Sequence, residues 1–219
     1  LKKFLHSIED VIIDIYLGKF HLFNEFIKMT NSSKNSTSIL KDFKNLIIWV
    51  IIALIIRWQV IEPRWIPSGS MLPTLQIQDK ILVEKISTKI NLKNNLKNLK
   101  NNIIVFNPPE NLINAGYESD IALIKRVIGV PGDKVEVKDG NLYINDNIQT
   151  NFIIDNNINY SMEAIIVPDN SLWVMGDNRN NSMDSHIWGP LPYEKIIGRA
   201  IIRYWPLNQF GPIRFHETV

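Results

Sequence analysis

A serine set in Pro67-Ser68-Gly69-Ser70-Met71-Leu72-Pro73-Thr74-Leu75 and a lone lysine inside the apolar stretch Ala122-Leu123-Ile124-Lys125-Arg126 suggest a serine nucleophile served by a lysine base. Gly69, Pro67 and Pro73 restrict the backbone around Ser70, which suits a hydroxyl that must be aimed rather than merely solvated. A lysine at its ordinary pKa of about 10.4 is neutral roughly once in 2,500 molecules at pH 7, so it is a poor base unless its surroundings disfavour charge. Burial does this. In an alternating strand Leu123 and Val127 share the face of Lys125 and give it a low-dielectric flank. A downward shift of about three units costs roughly 4 kcal/mol of stability, which a fold of this size can carry. A third polar stretch, Gly176-Asp177-Asn178-Arg179-Asn180-Asn181-Ser182-Met183-Asp184-Ser185, offers Ser182 as a hydroxyl to orient the neutral amine. Taken singly, each segment also has a plainer reading: two polar turns, and a lysine snorkelling from a strand edge.

The segments that must hold these groups are short and β-branched. From Lys80 onward the apolar runs are Ile81–Val83, Ile103–Phe106, Ile121–Ile128, Val135–Val137, Leu142–Ile144, Ile165–Val167, Leu172–Val174 and Ile197–Tyr204, each closed by turn residues. That pattern predicts a mainly β, antiparallel catalytic domain. Val135 to Ile144 alternates strictly around Asp139-Gly140-Asn141 and predicts a hairpin whose turn uses positive φ. The connection from Asp133 to Leu172 leaves room for a small second β lobe. No helical periodicity alternates with the strands, which excludes a parallel α/β sheet.

Composition narrows the function classes. With 219 residues, 45% hydrophobic content and a formal net charge of +2, the chain can bury one ordinary core and is not a disordered tail. The charge balance argues against a nucleic-acid partner, and the Lys/Asn-rich stretch from Lys89 to Asn102 is read as a solvated loop. The chain has no cysteine, and its histidines, His6, His21, His186 and His216, lack metal-ligand spacing, so no cofactor and no metal is expected.

Leu46 to Ile56 is an unbroken apolar run, extended by Trp58, Val60 and Ile61 past Arg57. We expect one N-terminal transmembrane helix over 43–61, with Lys44 and Arg57 snorkelling toward the two surfaces, and not a cleaved signal peptide. Residues 1–42 are then a cytoplasmic segment, partly disordered, with an amphipathic helical spacing of Leu5, Ile8, Val11, Ile12 and Ile15. The chain opens on Leu1 and its first methionine is Met29, so residues before Met29 are taken as foreign to the natural product. Residues 62–219 are then expected to be an extracytoplasmic β-rich domain, with Trp58, Ile61 and Trp65 placed to dip into the lipid interface.

Together, the Ser70 segment, Lys125-Arg126-Val127-Ile128-Gly129-Val130-Pro131-Gly132-Asp133 and the Gly176–Ser185 segment resemble the three main motif boxes of type I signal peptidases, in family order. The likeness covers about Trp58 to Pro206. It implies that Ser70 is the nucleophile, Lys125 the general base, Ser182 the hydroxyl that positions Lys125, and Ser68 with the Ser70 N–H the oxyanion hole. The implied reaction removes signal peptides from exported preproteins at a membrane, on the periplasmic or thylakoid-lumen side. Family pocket positions fall on Ile66, Leu75 and Ile124, whose apolar walls would admit only small side chains. Arg126, Asp177, Arg179 and Asp184 are expected to brace the site by pairing.

The string Ser185-His186-Ile187-Trp188-Gly189-Pro190-Leu191-Pro192 looks like the cyanobacterial and thylakoid branch, with His186 where many bacterial members carry arginine. A Ser70-His186-Asp184 triad is set aside in favour of His186 as a structural residue packed near Trp188. The competing readings are a self-cleaving Ser/Lys repressor-type protease, which would need a DNA-binding domain, and a membrane-anchored β domain that binds extended peptides without cutting them.

Overall fold

The computed structural model describes residues 36–86, 88, 96–149 and 158–213, so the expectations for residues 1–28 lie outside the described residues. The chain divides into two units, Leu1–Leu54 and Ile55–Val219. The apolar run has neither Gly nor Pro to interrupt it and is helical, within α1 (Ser36–Gln59). Phe43, Leu46, Trp49, Val50 and Leu54 on this helix are all exposed. Among the described residues no helix is long and apolar enough to cross a membrane. The helix ends at Gln59, and Ile61, expected to close the membrane span, opens the first strand instead.

In the second unit the chain lays down β1 (Ile61–Trp65), β2 (Lys80–Glu84), β3 (Ile103–Phe106), the short helix α2 (Glu110–Asn114) and β4 (Leu123–Gly129). It then departs to build β5 (Lys134–Lys138), β6 (Asn141–Ile144), β7 (Asn147–Ile148) and β8 (Met162–Ile166). The return adds β9 (Ser171–Met175), helix α3 (Ser185–Trp188), β10 (Leu191–Pro192), β11 (Ile196–Trp205) and β12 (Gly211–Pro212). The main sheet has 8 strands in the order β1-β2-β11-β3-β4-β9-β10, with β12 on β11, and the second sheet has 4 in the order β7-β6-β5-β8. Every pairing is antiparallel. The expected mainly β antiparallel architecture with a small second lobe is what forms. Pro63 fits in β1 because that strand is an edge and has no second neighbour to receive its missing N–H.

Alternation on β3 separates two cores. Ile104 and Phe106 join Val127, Leu172, Val174, Trp188 and Leu191 on one side. Ile103 and Val105 join Ile66, Met71, Leu75, Ile81 and Val83 on the other. Both faces of this central strand are buried, so side chains from β3 and its neighbour β4 can only point into packed surroundings. The second lobe is inserted between β4 and β9, which are adjacent in the main sheet, and the two sheets share a third core in which Ile128, Trp173 and Met175 meet Val135, Leu142 and Ile144. The predicted hairpin pairs Val135 with Ile144 and Lys138 with Asn141, and its turn residues Asp139 and Gly140 take φ of 51° and 76°.

One loop expectation is corrected where it is described. Leu99 and Asn102 are buried, Lys100 bridges Asp133 at 2.8 Å, and the Asn101 carbonyl accepts from Arg126 at 2.9 Å. The C-terminal end of the Lys89–Asn102 stretch is therefore packed, because Leu99 supplies an apolar anchor that the surrounding Lys and Asn residues masked in the sequence.

Candidate active site

Ser70 sits in a single turn of 3-10 helix, Gly69–Met71, on the loop that joins β1 to β2. That loop is closed at its neck by two backbone bonds, Ile66 N to Asp79 O at 2.9 Å and Gln78 N to Ile66 O at 2.8 Å. It is also tied from strand β11 and from the segment that follows β9. Arg203 on β11 donates to the Thr74 carbonyl at 2.8 Å and pairs with Asp79 at 3.1 Å. Asn178 donates its backbone N–H to the Ser70 carbonyl at 3.1 Å and its side-chain amide to the Gly69 carbonyl at 3.2 Å. A serine with its neighbouring carbonyls fixed in this way has a hydroxyl that is aimed.

Lys125 lies in the middle of β4, registered against Ile104 of β3, and only 3% of its surface is exposed. Its Nζ is 2.8 Å from Ser70 Oγ, and Ser70 itself is 8% exposed. Burial pulls the Lys125 ammonium down to about 8, against an opposing upward pull from Asp184 and Asp177. At that value about one molecule in ten holds a neutral amine at pH 7, some 250-fold more than for a free lysine. Ser68 Oγ stands 3.4 Å from Ser70 Oγ, on the exposed side of the loop.

The neighbouring residue behaves differently. Arg126 forms a two-pronged pair with Asp177, at 2.7 and 2.6 Å, with both side chains 1% exposed. It also donates to the Asn101 carbonyl and reaches Thr74 Oγ at 3.4 Å, tying β4 to the serine loop. Asp184 is fully buried; it accepts from Gly176 N at 2.8 Å and from His186 Nδ1 at 2.7 Å, and it caps α3. Arg179 is buried, with one contact to Met175 Sδ at 3.5 Å, and burial lowers its proton affinity from the ordinary guanidinium value.

The structure thus brings Ser70, Lys125 and Ser68 together, with Arg126, Asp177 and Asp184 around them. Ser182 differs from expectation. Its hydroxyl is buried and, among the described residues, has no hydrogen-bond partner, Lys125 included. The reason lies in Gly176: a Cβ there would stand 2.3 Å from Ser182 Oγ and 2.5 Å from the Ser70 carbonyl, so the hydroxyl occupies the space that the missing side chain leaves. Ile66, Leu75 and Ile124 belong to one core cluster with Met71, the neighbour of Ser70, at 1%, 0% and 9% exposure, so Ile124 is the least covered of the three.

His186 is stacked on Tyr160, ring centroids 4.1 Å apart, while Trp188 packs on Phe106. The imidazole packs on Tyr160, and not near Trp188 as expected. Ser70 Oγ is bonded to Lys125 and Ser68, which leaves the histidine triad without its central contact. Asp79, Arg203, Asn178, Gly176 and Tyr160 were not anticipated as supports. Asn178 and Gly176 lie within the third motif segment and carried that much signal; the others carried none.

A model of the signal peptidase family, peptidase S26, matches residues 39–205 of this chain. The chain belongs to the peptidase S26 family of signal peptidases. A probable signal peptidase I-1 of Synechocystis sp. is 44% identical over 169 residues, covering 77% of this chain and 83% of that protein. Signal peptidase I of Leptolyngbya laminosa is 42% identical, over 82% of this chain and 86% of its own. A probable thylakoidal processing peptidase 2 of Arabidopsis thaliana is 42% identical over 78% of this chain, which spans only 45% of that relative's length. A solved signal peptidase I from Enterococcus faecalis V583, 25% identical, aligns with 46% of this chain and 93% of its own at a TM-score of 0.37. These relatives place the chain in the cyanobacterial and thylakoid branch of the signal peptidases.

Proposed function

We propose that this chain is a membrane-anchored serine endopeptidase that removes N-terminal signal peptides from exported preproteins, with Ser70 as nucleophile and Lys125 as general base. The observation that carries this reading is the 2.8 Å approach of Lys125 Nζ to Ser70 Oγ, in a site where both side chains are buried. The neutral amine takes the hydroxyl proton as Ser70 Oγ bonds to the scissile carbonyl carbon, and the carbonyl electrons move onto oxygen. The Ser68 hydroxyl and the Ser70 N–H are the donors for that oxyanion. Collapse breaks the C–N bond, the Lys125 ammonium gives its proton to the leaving amine, and the neutral Lys125 then takes a proton from the water that attacks the acyl ester and returns it to Ser70 Oγ as the ester bond breaks.

Ser182 packs against Gly176 behind this pair, and we assign it a supporting role that acts through backbone position. Ile124, backed by Ile66 and Leu75, forms the wall that restricts the substrate to small side chains next to the cut, each added methylene costing about 1 to 3 kcal/mol. The uncovered apolar surface of α1 supports anchorage in lipid, with the N-terminus cytoplasmic and the peptidase unit extracytoplasmic, in the periplasm or the thylakoid lumen. Trp65, 64% exposed, stands at the start of that unit as a lipid-interface residue.

The test is incubation of the full chain in detergent with a signal-bearing preprotein, followed by sequencing of the new N-terminus. Cleavage should leave a small residue on the amino side of the cut. Ser70→Ala and Lys125→Ala should each lower kcat/KM by 10³-fold or more, with the circular dichroism of the folded protein retained. A Lys125→Ala variant with undiminished cleavage would show that the amine is a bystander.

A further inference from the structure

We propose that His186 is a positioning residue that sets the charge around the Ser70–Lys125 pair through Asp184, so that the acid limb of the activity follows the charge carried at position 186. The inference rests on Lys125 being the base, as argued above.

The geometry forms a chain of contacts. Asp184 Oδ1 accepts from the imidazole Nδ1 at 2.7 Å and from the His186 backbone N–H at 3.3 Å. Its other oxygen accepts from Gly176 N at 2.8 Å. Gly176 in turn lies against the Ser182 hydroxyl and the Ser70 carbonyl so closely that no Cβ fits. One carboxylate therefore joins a histidine to the backbone that backs the nucleophile. The imidazole ring is held by its stacking on Tyr160, and 17% of its side chain remains exposed, enough to exchange protons with water.

The charges that face this arrangement separate into fixed and variable ones. Lys125 is influenced by Asp184 and Asp177, both of which favour its protonated form. Asp177 is already paired with Arg126, a permanent cation. Asp184 is faced by Arg179, Tyr160 and His186. Burial works against the Arg179 charge, and burial also pushes the Tyr160 phenol above its ordinary value, so the phenol stays neutral. Imidazole is the one group type among these whose ordinary charge change falls between pH 5 and 8. A cationic His186 offsets the Asp184 carboxylate, weakens its hold on the Lys125 proton and keeps more of the base neutral as pH falls. A neutral His186 leaves the carboxylate acting on Lys125 in full.

The measurement is kcat/KM against pH for the full chain and a signal-bearing preprotein, comparing wild type with His186→Arg, always charged, and His186→Gln, never charged. Ser70→Ala, inactive throughout, is the control on the underlying reading. The midpoint of the acid limb should be lowest in His186→Arg and highest in His186→Gln, the span being about half a unit or more. Should His186→Arg fail to fold on Tyr160, wild type and His186→Gln still decide the matter. The Gln variant should fall further behind wild type as pH drops from 8 to 5.5, by a further threefold or more. An equal loss at both pH values, as a merely structural role would give, overturns the inference, and so do superimposable limbs. A limb that vanishes in His186→Gln overturns it together with the lysine-base reading, as does cleavage by Ser70→Ala.

Discussion

Lys125 and Arg126 are consecutive residues on one strand, both cationic in type and both almost wholly removed from water, yet they meet opposite environments. Arg126 faces a carboxylate that matches its fork at 2.7 and 2.6 Å, and further oxygens take up its remaining donors. Lys125 faces a hydroxyl at 2.8 Å and no carboxylate within bonding distance. Burial alone therefore does not decide what a buried base becomes; the partner does. A paired guanidinium keeps its charge and becomes a brace, whereas a buried amine with no carboxylate in bonding contact holds its proton less tightly and becomes available for proton transfer. The strand separates the two uses by alternation, one residue to each face.

The brace is the first part of the comparison to break. Asp177→Asn removes one partner of a buried pair and leaves the Arg126 charge uncompensated, which should cost about 3 to 5 kcal/mol in urea denaturation. Arg126 also holds Asn101 and Thr74, so Arg126→Met should lower stability and loosen the serine loop together. If Asp177→Asn proves as stable as wild type, the pair is not what ties β4 to the loop. Gly176→Ala is the next largest. Its new methyl would meet both the Ser182 hydroxyl and the Ser70 carbonyl inside 2.6 Å. We expect a loss of about 1 to 3 kcal/mol and a larger fall in kcat than in KM, because the displaced backbone belongs to the nucleophile. Pairing that change with Ser182→Ala should restore part of both, since the hydroxyl then no longer occupies the space.

Much of this arrangement was legible in the sequence. The strands that carry Lys125 and Arg126 announce themselves by β-branched runs closed with turn residues, and Asp139-Gly140 marks its hairpin through positive φ. Ser70 and Lys125 could be named because their segments combine restricted backbone with an ionisable group in apolar company. Strand β1 was missed because Ile61 continues the apolar run of α1 and Pro63 is a poor strand residue; pairing with β2 alone makes it a strand. The strands β10 and β12 are two residues each and exist only through their neighbours. Supports such as Arg203 and Tyr160 act across long separations, where no local pattern links them to Ser70. The expected Ser182 bond failed for a related reason: the space left by Gly176 is a tertiary fact that a polar turn does not reveal.

A change at Lys125 tests the electrostatic half of the comparison most directly. Lys125→Met keeps the apolar stem and removes the amine, so it abolishes the proposed chemistry while relieving the cost of burying a cation. With a folded-state value of about 8 against 10.5 unfolded, the unfolded chain binds more protons than the folded one between those limits, and wild-type stability rises with pH across that window. Below pH 8 the full cost is present, roughly 3 kcal/mol, offset by about 1 kcal/mol for the hydrogen bond to Ser70. The variant should therefore be more stable than wild type by about 1 to 3 kcal/mol at pH 7, and the advantage should shrink as pH approaches 10.5. Urea unfolding at pH 7 and pH 10 measures both. A variant that is less stable at pH 7 would mean that Lys125 is held by charge, as Arg126 is, and the distinction between the two neighbours would be lost.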